Sequence, residues 1–97
     1  MRTKTHPFDP AEHLATPEAQ AEYISVALET GDPAFIADSL GVVARARGMS
    51  QLARDTGLRR ESLYKALSAE GNPEFATIMK VVQALGVKLS AEAIQEM

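Results

Sequence analysis

One glycine in the middle of the stretch Met49–Leu67 constrains the fold of this chain more than any other residue. Gly57 stands between two segments with helical spacing, and glycine readily adopts the left-handed backbone conformation that ends a helix and reverses the chain. Ala53, one helical turn earlier, is small enough to let two helices cross closely. Apolar side chains before and after the turn supply an inward side, formed by Leu52, Leu58, Leu63 and Leu67. The stretch predicts two short helices joined by a tight turn.

The second of these helices has a polar outer side. Its outward positions carry side chains that donate or accept hydrogen bonds: Arg59, Arg60, Glu61, Ser62, Tyr64 and Lys65. Two short helices with a polar, basic second member are typical of a DNA-reading helix-turn-helix, predicted here at about residues 50–68.

Helix-start and helix-stop signals punctuate the rest of the chain. Residues 1–7 lack periodicity and are expected to form a flexible tail, and Asp9-Pro10 predicts a short turn that ends near Leu14. Side-chain caps are expected at Thr16, Asp32, Ser50 and Asn72. The longer predicted helices cover about residues 17–30, 33–47, 50–56, 60–68 and 73–85, and residues 90–97 are expected to form a last short helix.

Apolar periodicity supports the same assignment. Ile36, Leu40 and Val43 form a helical core stripe, and a second stripe consists of Phe75, Ile78, Met79, Val82 and Leu85. No β-hairpin signal appears. The predicted fold is all-α, a compact bundle of about five to six short helices that forms one domain over residues 8–97.

Composition excludes several classes of protein. The chain has 97 residues and no cysteine, which removes disulfides, thiolate metal sites and cysteine nucleophiles. No apolar run is long enough to span a membrane and no signal-peptide core is present, so a cytoplasmic protein is expected. His6 and His13 lie near Asp9 and Glu12 but lack the spacing of converging metal ligands. Because no nucleophile pairs with a base, we expect a non-enzyme without metal, cofactor or small-molecule substrate.

Charge is unevenly distributed along the chain. Every charged residue between Phe8 and Asp38 is acidic: Asp9, Glu12, Glu18, Glu22, Glu29, Asp32 and Asp38. Between Arg45 and Lys65, six bases stand against two acids, which leaves a local charge of +4 although the whole chain carries −3. This asymmetry indicates either an ordinary solvated surface or two different partners, one for each half.

The residues Gly48 to Ser90, GMSQLARDTGLRRESLYKALSAEGNPEFATIMKVVQALGVKLS, resemble the XRE (Cro/C1-type) class of helix-turn-helix proteins. Within that class the chain closely resembles the HigA-like addiction-module antidote proteins, the antitoxins of type II toxin–antitoxin pairs. The run RESLYKALS followed by GNP carries the resemblance most specifically, and FDPAEHL, Phe8 to Leu14, extends it over nearly the whole chain. Arg59 departs from the pattern, because a Ser or Thr often caps the recognition helix there.

The resemblance implies a small antitoxin that binds and silences a RelE/ParE-like toxin and represses its own operon. The toxin would be a small basic protein, and the acidic stretch from Phe8 to Asp38, with Glu18, Glu22 and Glu29, is its expected contact. Two other interpretations stay open: a stand-alone transcriptional regulator of the same fold, and a protein-interaction module that does not bind DNA.

The expected DNA contacts follow from their positions in the helix pair. Arg60, Glu61, Ser62 and Lys65 fall on the part of the recognition helix that enters the major groove of double-stranded operator DNA. Gln51, Arg54 and Arg59 are candidates for phosphate contacts, whereas Arg45 and Arg47 are interpreted as surface charge. Tyr64 either covers the edge of the core or touches the DNA backbone.

A palindromic operator asks for two copies of the chain. We therefore expect a homodimer in which Val87, Leu89 and Ile94 of the C-terminal segment make the contact.

Overall fold

In the computed structural model of the chain, the described residues are 14–95, and they form five helices. No residue in that range belongs to a β-strand, which agrees with the all-α prediction. The predicted tail at residues 1–7 and most of the predicted turn between Asp9 and Leu14 lie outside the described residues. The helices are α1 (Pro17–Glu29), α2 (Pro33–Arg47), α3 (Met49–Thr56), α4 (Arg60–Ala66) and α5 (Phe75–Leu85).

The first two helices start where the sequence predicts. The Thr16 hydroxyl accepts a hydrogen bond from the Ala19 N–H at 3.1 Å, and the Asp32 carboxylate accepts one from the Ala34 N–H at 3.1 Å. Each cap is followed by a proline at the first helical position. The proline ring fixes a helical φ there and removes an N–H that would have no partner within the helix.

Two other predicted caps are wrong. Helix α3 begins at Met49 after Gly48, whose φ of 114° turns the chain, so Ser50 lies inside the helix and does not cap it. Helix α5 begins at Phe75, because Asn72 has a positive φ of 47° and belongs to the preceding turn. Asparagine tolerates this conformation, which makes it a turn residue as readily as a cap.

The predicted C-terminal helix is also wrong over the part of it that is described. Residues 90–95 have no regular secondary structure and are all exposed, and residues 96–97 lie outside the described range. A segment of eight residues gains too few backbone hydrogen bonds to offset helix nucleation unless one side packs against the domain. Helix α4 ends at Ala66, two residues before the predicted Ser68.

All five helices contribute to one apolar core. Helix α1 packs on α2, while α3 contacts α2, α4 and α5. The buried core cluster consists of Leu14, Ile24, Leu40, Val43, Ala44, Met49, Leu52, Leu63, Leu67, Val81, Val82 and Leu85. Phe75 departs from its predicted core stripe: it is 71% exposed, since it occupies the first position of α5, beyond the part of the helix that reaches the core.

Arg47 connects two helix ends rather than serving only as surface charge. Its Nη1 donates a hydrogen bond of 3.0 Å to the carbonyl oxygen of Leu85, the last residue of α5. Carbonyl groups in the last turn of a helix have no partner within the helix, and a cation there also interacts favourably with the helix dipole. The predicted interpretation of Arg47 is therefore corrected, and α2 and α5 are held together at their C-terminal ends.

Candidate nucleic-acid interface and acidic surface

The turn between α3 and α4 has the predicted geometry. Gly57 adopts the left-handed conformation with φ 77° and ψ 11°, and its N–H donates to the Ala53 carbonyl at 2.9 Å. The Thr56 hydroxyl donates to the Leu52 carbonyl at 2.8 Å and accepts from the Leu58 N–H at 3.2 Å. These bonds satisfy the last carbonyls of α3 and fix the direction in which the chain enters α4.

The inward side of the helix pair is the predicted one. Leu52, Leu63 and Leu67 are at most 1% exposed, and Leu58 packs partly buried against the same cluster. Both helices are therefore anchored through leucine side chains, and their opposite sides are left to solvent.

All seven residues predicted to contact DNA are exposed on this helix pair. Gln51 and Arg54 lie on α3, Arg59 lies in the turn, and Arg60, Glu61, Ser62 and Lys65 lie on α4. These exposed residues, which span fifteen positions from 51 to 65, are here called the α3–α4 surface.

Hydrogen bonds connect three polar side chains of α3 into one network. Arg54 Nη2 donates to Gln51 Oε1 at 2.8 Å, and Gln51 Nε2 donates to Asp55 Oδ1 at 2.9 Å. The carboxylate of Asp55 orients the amide of Gln51, and the amide oxygen in turn holds the guanidinium of Arg54. Asp55 is one of the two acids between Arg45 and Lys65, and charge alone does not predict this contact. Its i, i+4 spacing from Gln51 is the signal that identifies this role.

Arg60 and Tyr64 form a second unit, on α4. The guanidinium carbon of Arg60 lies 5.8 Å from the centre of the Tyr64 ring, within the range of a cation–π interaction. Tyr64 is 42% exposed, so its ring supports Arg60 on the outer side of the helix. Arg59 precedes α4 and makes no side-chain cap, as predicted from its lack of a hydrogen-bond acceptor.

The acidic residues on α1 form a separate surface. Glu18, Glu22 and Glu29 are all exposed, and their spacings of four and seven residues place them on one side of the helix. Between positions 14 and 44 the sequence contains no lysine or arginine. The α3–α4 surface and this acidic surface therefore lie on different helices and have opposite charge.

The described residues contain neither a group of metal ligands nor a membrane-spanning helix. Within residues 14–95, no three His, Asp or Glu side chains are grouped so as to hold a metal ion. His6 and His13, with Asp9 and Glu12, lie outside that range. No helix in the described part of the chain is long and apolar enough to cross a membrane.

Comparison with known proteins identifies the family of this chain. Residues 4–93 match the model of a family described as "probable addiction module antidote protein". An uncharacterized protein from Haemophilus influenzae is 47% identical over 92 residues, which is 95% of each chain. No solved structure is significantly similar to this chain. Membership of an antidote family suggests a regulatory protein and implies a toxin as its partner. Since the family match covers residues 4–93 of the 97, the chain belongs to the family of probable addiction module antidote proteins.

Proposed function

We propose that this protein is a cytoplasmic, DNA-binding antitoxin of a type II toxin–antitoxin pair. It neutralises a small basic toxin of the RelE/ParE kind by direct binding, and it represses its own operon through the α3–α4 surface. In this proposal α3 and α4 form a Cro/C1-type helix-turn-helix, and α4 is the recognition helix. The observation that carries the proposal is the family membership, which implies a toxin partner.

The α3–α4 surface supports the DNA-binding half of the proposal. Its two helices are short, anchored by buried leucines and separated by a left-handed glycine, and its exposed residues are mainly basic or hydrogen-bonding. Arg60, Ser62 and Lys65 are proposed to reach base edges or nearby phosphates in the major groove. Glu61 is placed to accept a hydrogen bond from a cytosine amino group.

The Gln51–Arg54 pair is proposed to bind the DNA backbone. The bond between these two side chains holds both at the exposed side of α3. No side chain caps the N-terminus of α3, so its first N–H groups remain available to a phosphate together with Gln51. Arg54 and Arg59 add positive charge around the same position. Phosphate contacts of this kind fix register and orientation, while the side chains on α4 provide sequence preference.

The acidic surface supports the toxin-binding half. Toxins that act on RNA or ribosomes need basic surfaces, and opposite charge accelerates and orients the association of two proteins. Reversing Glu18, Glu22 and Glu29 to lysine should therefore weaken toxin binding and slow association, most strongly at low salt. Glu92→Lys, on the exposed C-terminal segment, is the matched control for a change of charge. Unchanged affinity in the triple variant would remove these three residues from the toxin contact.

A homodimer is proposed for operator binding, although one part of its sequence argument needs correction. Val87 and Leu89 are partly buried against the core of their own chain, so they do not require a second copy to cover them. Ile94 is 79% exposed and remains the candidate contact in the C-terminal segment.

A salt titration of operator binding separates this proposal from an interaction module that does not bind DNA. Binding through phosphates should weaken by about 0.9 log unit per contact for each log unit of salt. A stand-alone regulator would show the same salt dependence but would bind no toxin.

A further inference from the structure

An apolar groove of about 550 Å³ lies on the part of the domain formed by α1, α2 and α5. Its lining includes Ile24, Leu28, Ile36, Phe75, Ile78 and Leu89. No residue of α3 or α4 contributes to this lining. The groove is therefore distinct from the α3–α4 surface.

Large apolar side chains at the groove are exposed to water. Phe75 is 71% exposed and Leu28 is 42% exposed, and both line the groove. Contiguous apolar surface of this kind on a small domain typically marks a site of protein association. Side chains such as Phe75 would then become buried only when the partner binds.

The segments that line the groove are rich in acidic residues. Asp32 lines it, and the residues next to lining positions in the chain include Glu29, Asp38, Glu70 and Glu74. Among these immediate neighbours, Lys88 is the one base. A segment that fits both properties has apolar side chains on one side and lysine or arginine residues along its edges.

We propose that this groove receives a basic amphipathic segment of the toxin, whose apolar residues fill it while its cations face the surrounding acids. The inference rests on the proposed antitoxin function and specifies the surface that carries it. Apolar anchors in a groove contribute most of the affinity in such interfaces, and the acids on α1 contribute mainly to association rate.

Charge argues against a second copy of this chain as the occupant. A symmetric dimer through the groove would place the same acidic surroundings of two copies against each other, and like charges across an interface are unfavourable. A small apolar ligand also fits poorly, since such a site needs a few polar groups that orient the ligand. Asp32 and Asn72 are the polar side chains among the lining residues.

The separation of the two surfaces has a consequence for regulation. The groove and the α3–α4 surface share no residue, so a substitution in the groove removes none of the proposed operator contacts. Substitutions in the groove should therefore weaken toxin binding without weakening operator binding.

The test compares substitutions inside the groove with one outside it. Leu28→Ser, alone and combined with Phe75→Ser, removes exposed apolar side chains from the groove without opening the core. Gln83→Ser is the control, because Gln83 is exposed on α5, the helix that carries Phe75, and does not line the groove. The probes are the purified small basic protein encoded beside this gene and a duplex of the promoter. We expect the double variant to bind the basic protein more than about tenfold more weakly, the control to change little, and all variants to bind the promoter equally.

The outcomes separate this inference from the function on which it rests. If the wild-type chain binds the basic protein and the double variant binds it equally well, the groove assignment is overturned while the antitoxin function stands. If the double variant binds the basic protein more tightly than the wild type, a segment of this chain occupies the groove. If the double variant no longer sediments as a dimer but keeps its affinity for the basic protein, a second copy of this chain occupies the groove. Either result overturns the inference. If the wild-type chain binds no neighbouring product, the antitoxin function itself fails.

Discussion

Arg60 combines two properties that a base-reading residue needs. It is exposed at the start of α4, and its guanidinium lies within cation–π range of the Tyr64 ring, a contact that favours one position of the side chain. A side chain held in place before binding loses less conformational entropy when it makes its contact. The exposure of Arg60 follows from the helical pattern, whereas its stacking on Tyr64 depends on rotamers that a sequence does not specify.

Replacing Arg60 with alanine should lower the affinity for operator DNA by about 1–3 kcal/mol and reduce sequence preference. Arg60→Lys should recover part of the affinity but not the preference, because lysine keeps the charge and lacks the planar fork that binds guanine at two points. Binding of both variants to the promoter and to a scrambled duplex measures these effects. Lys80→Ala, an exposed change on α5, is the control. Wild-type discrimination by Arg60→Ala would contradict the role assigned to α4.

Arg47 makes a contact that local sequence reasoning does not reveal. Its hydrogen-bond partner, Leu85, is 38 residues away in the chain, and only the packing of α2 against α5 brings the two together. Helical periodicity assigns an arginine in the last turn of α2 to the surface, and it carries no information about which carbonyl that arginine reaches.

Arg47→Met should lower the free energy of unfolding by about 1 kcal/mol, since methionine keeps the apolar stem and removes the charged donor to the Leu85 carbonyl. Arg45→Met, an exposed change in the same last turn of α2, is the matched control and should change stability less. Urea unfolding followed by circular dichroism gives both values. Equal stability of the two variants would mean that the bond to Leu85 contributes nothing measurable.

At the scale of elements, the sequence predicts the helices better than their ends. The type and order of α1 to α5, and the left-handed turn at Gly57, follow from apolar periodicity and from proline and glycine positions. The exact starts of α3 and α5 do not follow from the sequence, because Ser50 and Asn72 are equally suited to a cap and to a turn. The backbone geometry at Gly48 and Asn72 decides between these roles, and both have a positive φ.

Gly41 shows how close packing between elements reverses a local rule. Glycine to alanine inside a helix normally stabilises it by about 0.5–1 kcal/mol. A Cβ atom at Gly41, however, would overlap the carbonyl oxygen of Leu67, which follows α4. Because a backbone carbonyl cannot rotate away as a side chain does, Gly41→Ala should instead destabilise the protein by about 1–3 kcal/mol.

The comparison for Gly41→Ala is Ser25→Ala, at an exposed position inside α1, which should be neutral or slightly stabilising. Denaturant unfolding of the two variants measures the difference. A Gly41→Ala protein at least as stable as the wild type would show that α2 and α4 are able to move apart at little cost, and the close packing described here would be contradicted.

At the scale of the whole molecule, the chain separates two kinds of surface. The division into an acidic first half and a basic helix pair is visible in the sequence, because charge patterns need no tertiary structure to be read. The apolar groove is not visible there. Its lining comes from α1, α2, α5 and the segments around α5, and Phe75 and Leu28 look like ordinary core residues until the packing leaves them exposed.

The most direct test of the central claim is a growth assay with the genes on either side of this one. Each neighbouring reading frame is expressed alone and then together with this chain, and the complex is recovered through a tag on the chain. The account predicts that one small basic neighbour arrests growth by itself, that co-expression restores growth, and that the two proteins purify together. If no neighbour arrests growth, or if an arrest persists although the chain is present, the protein is not the antitoxin of that pair.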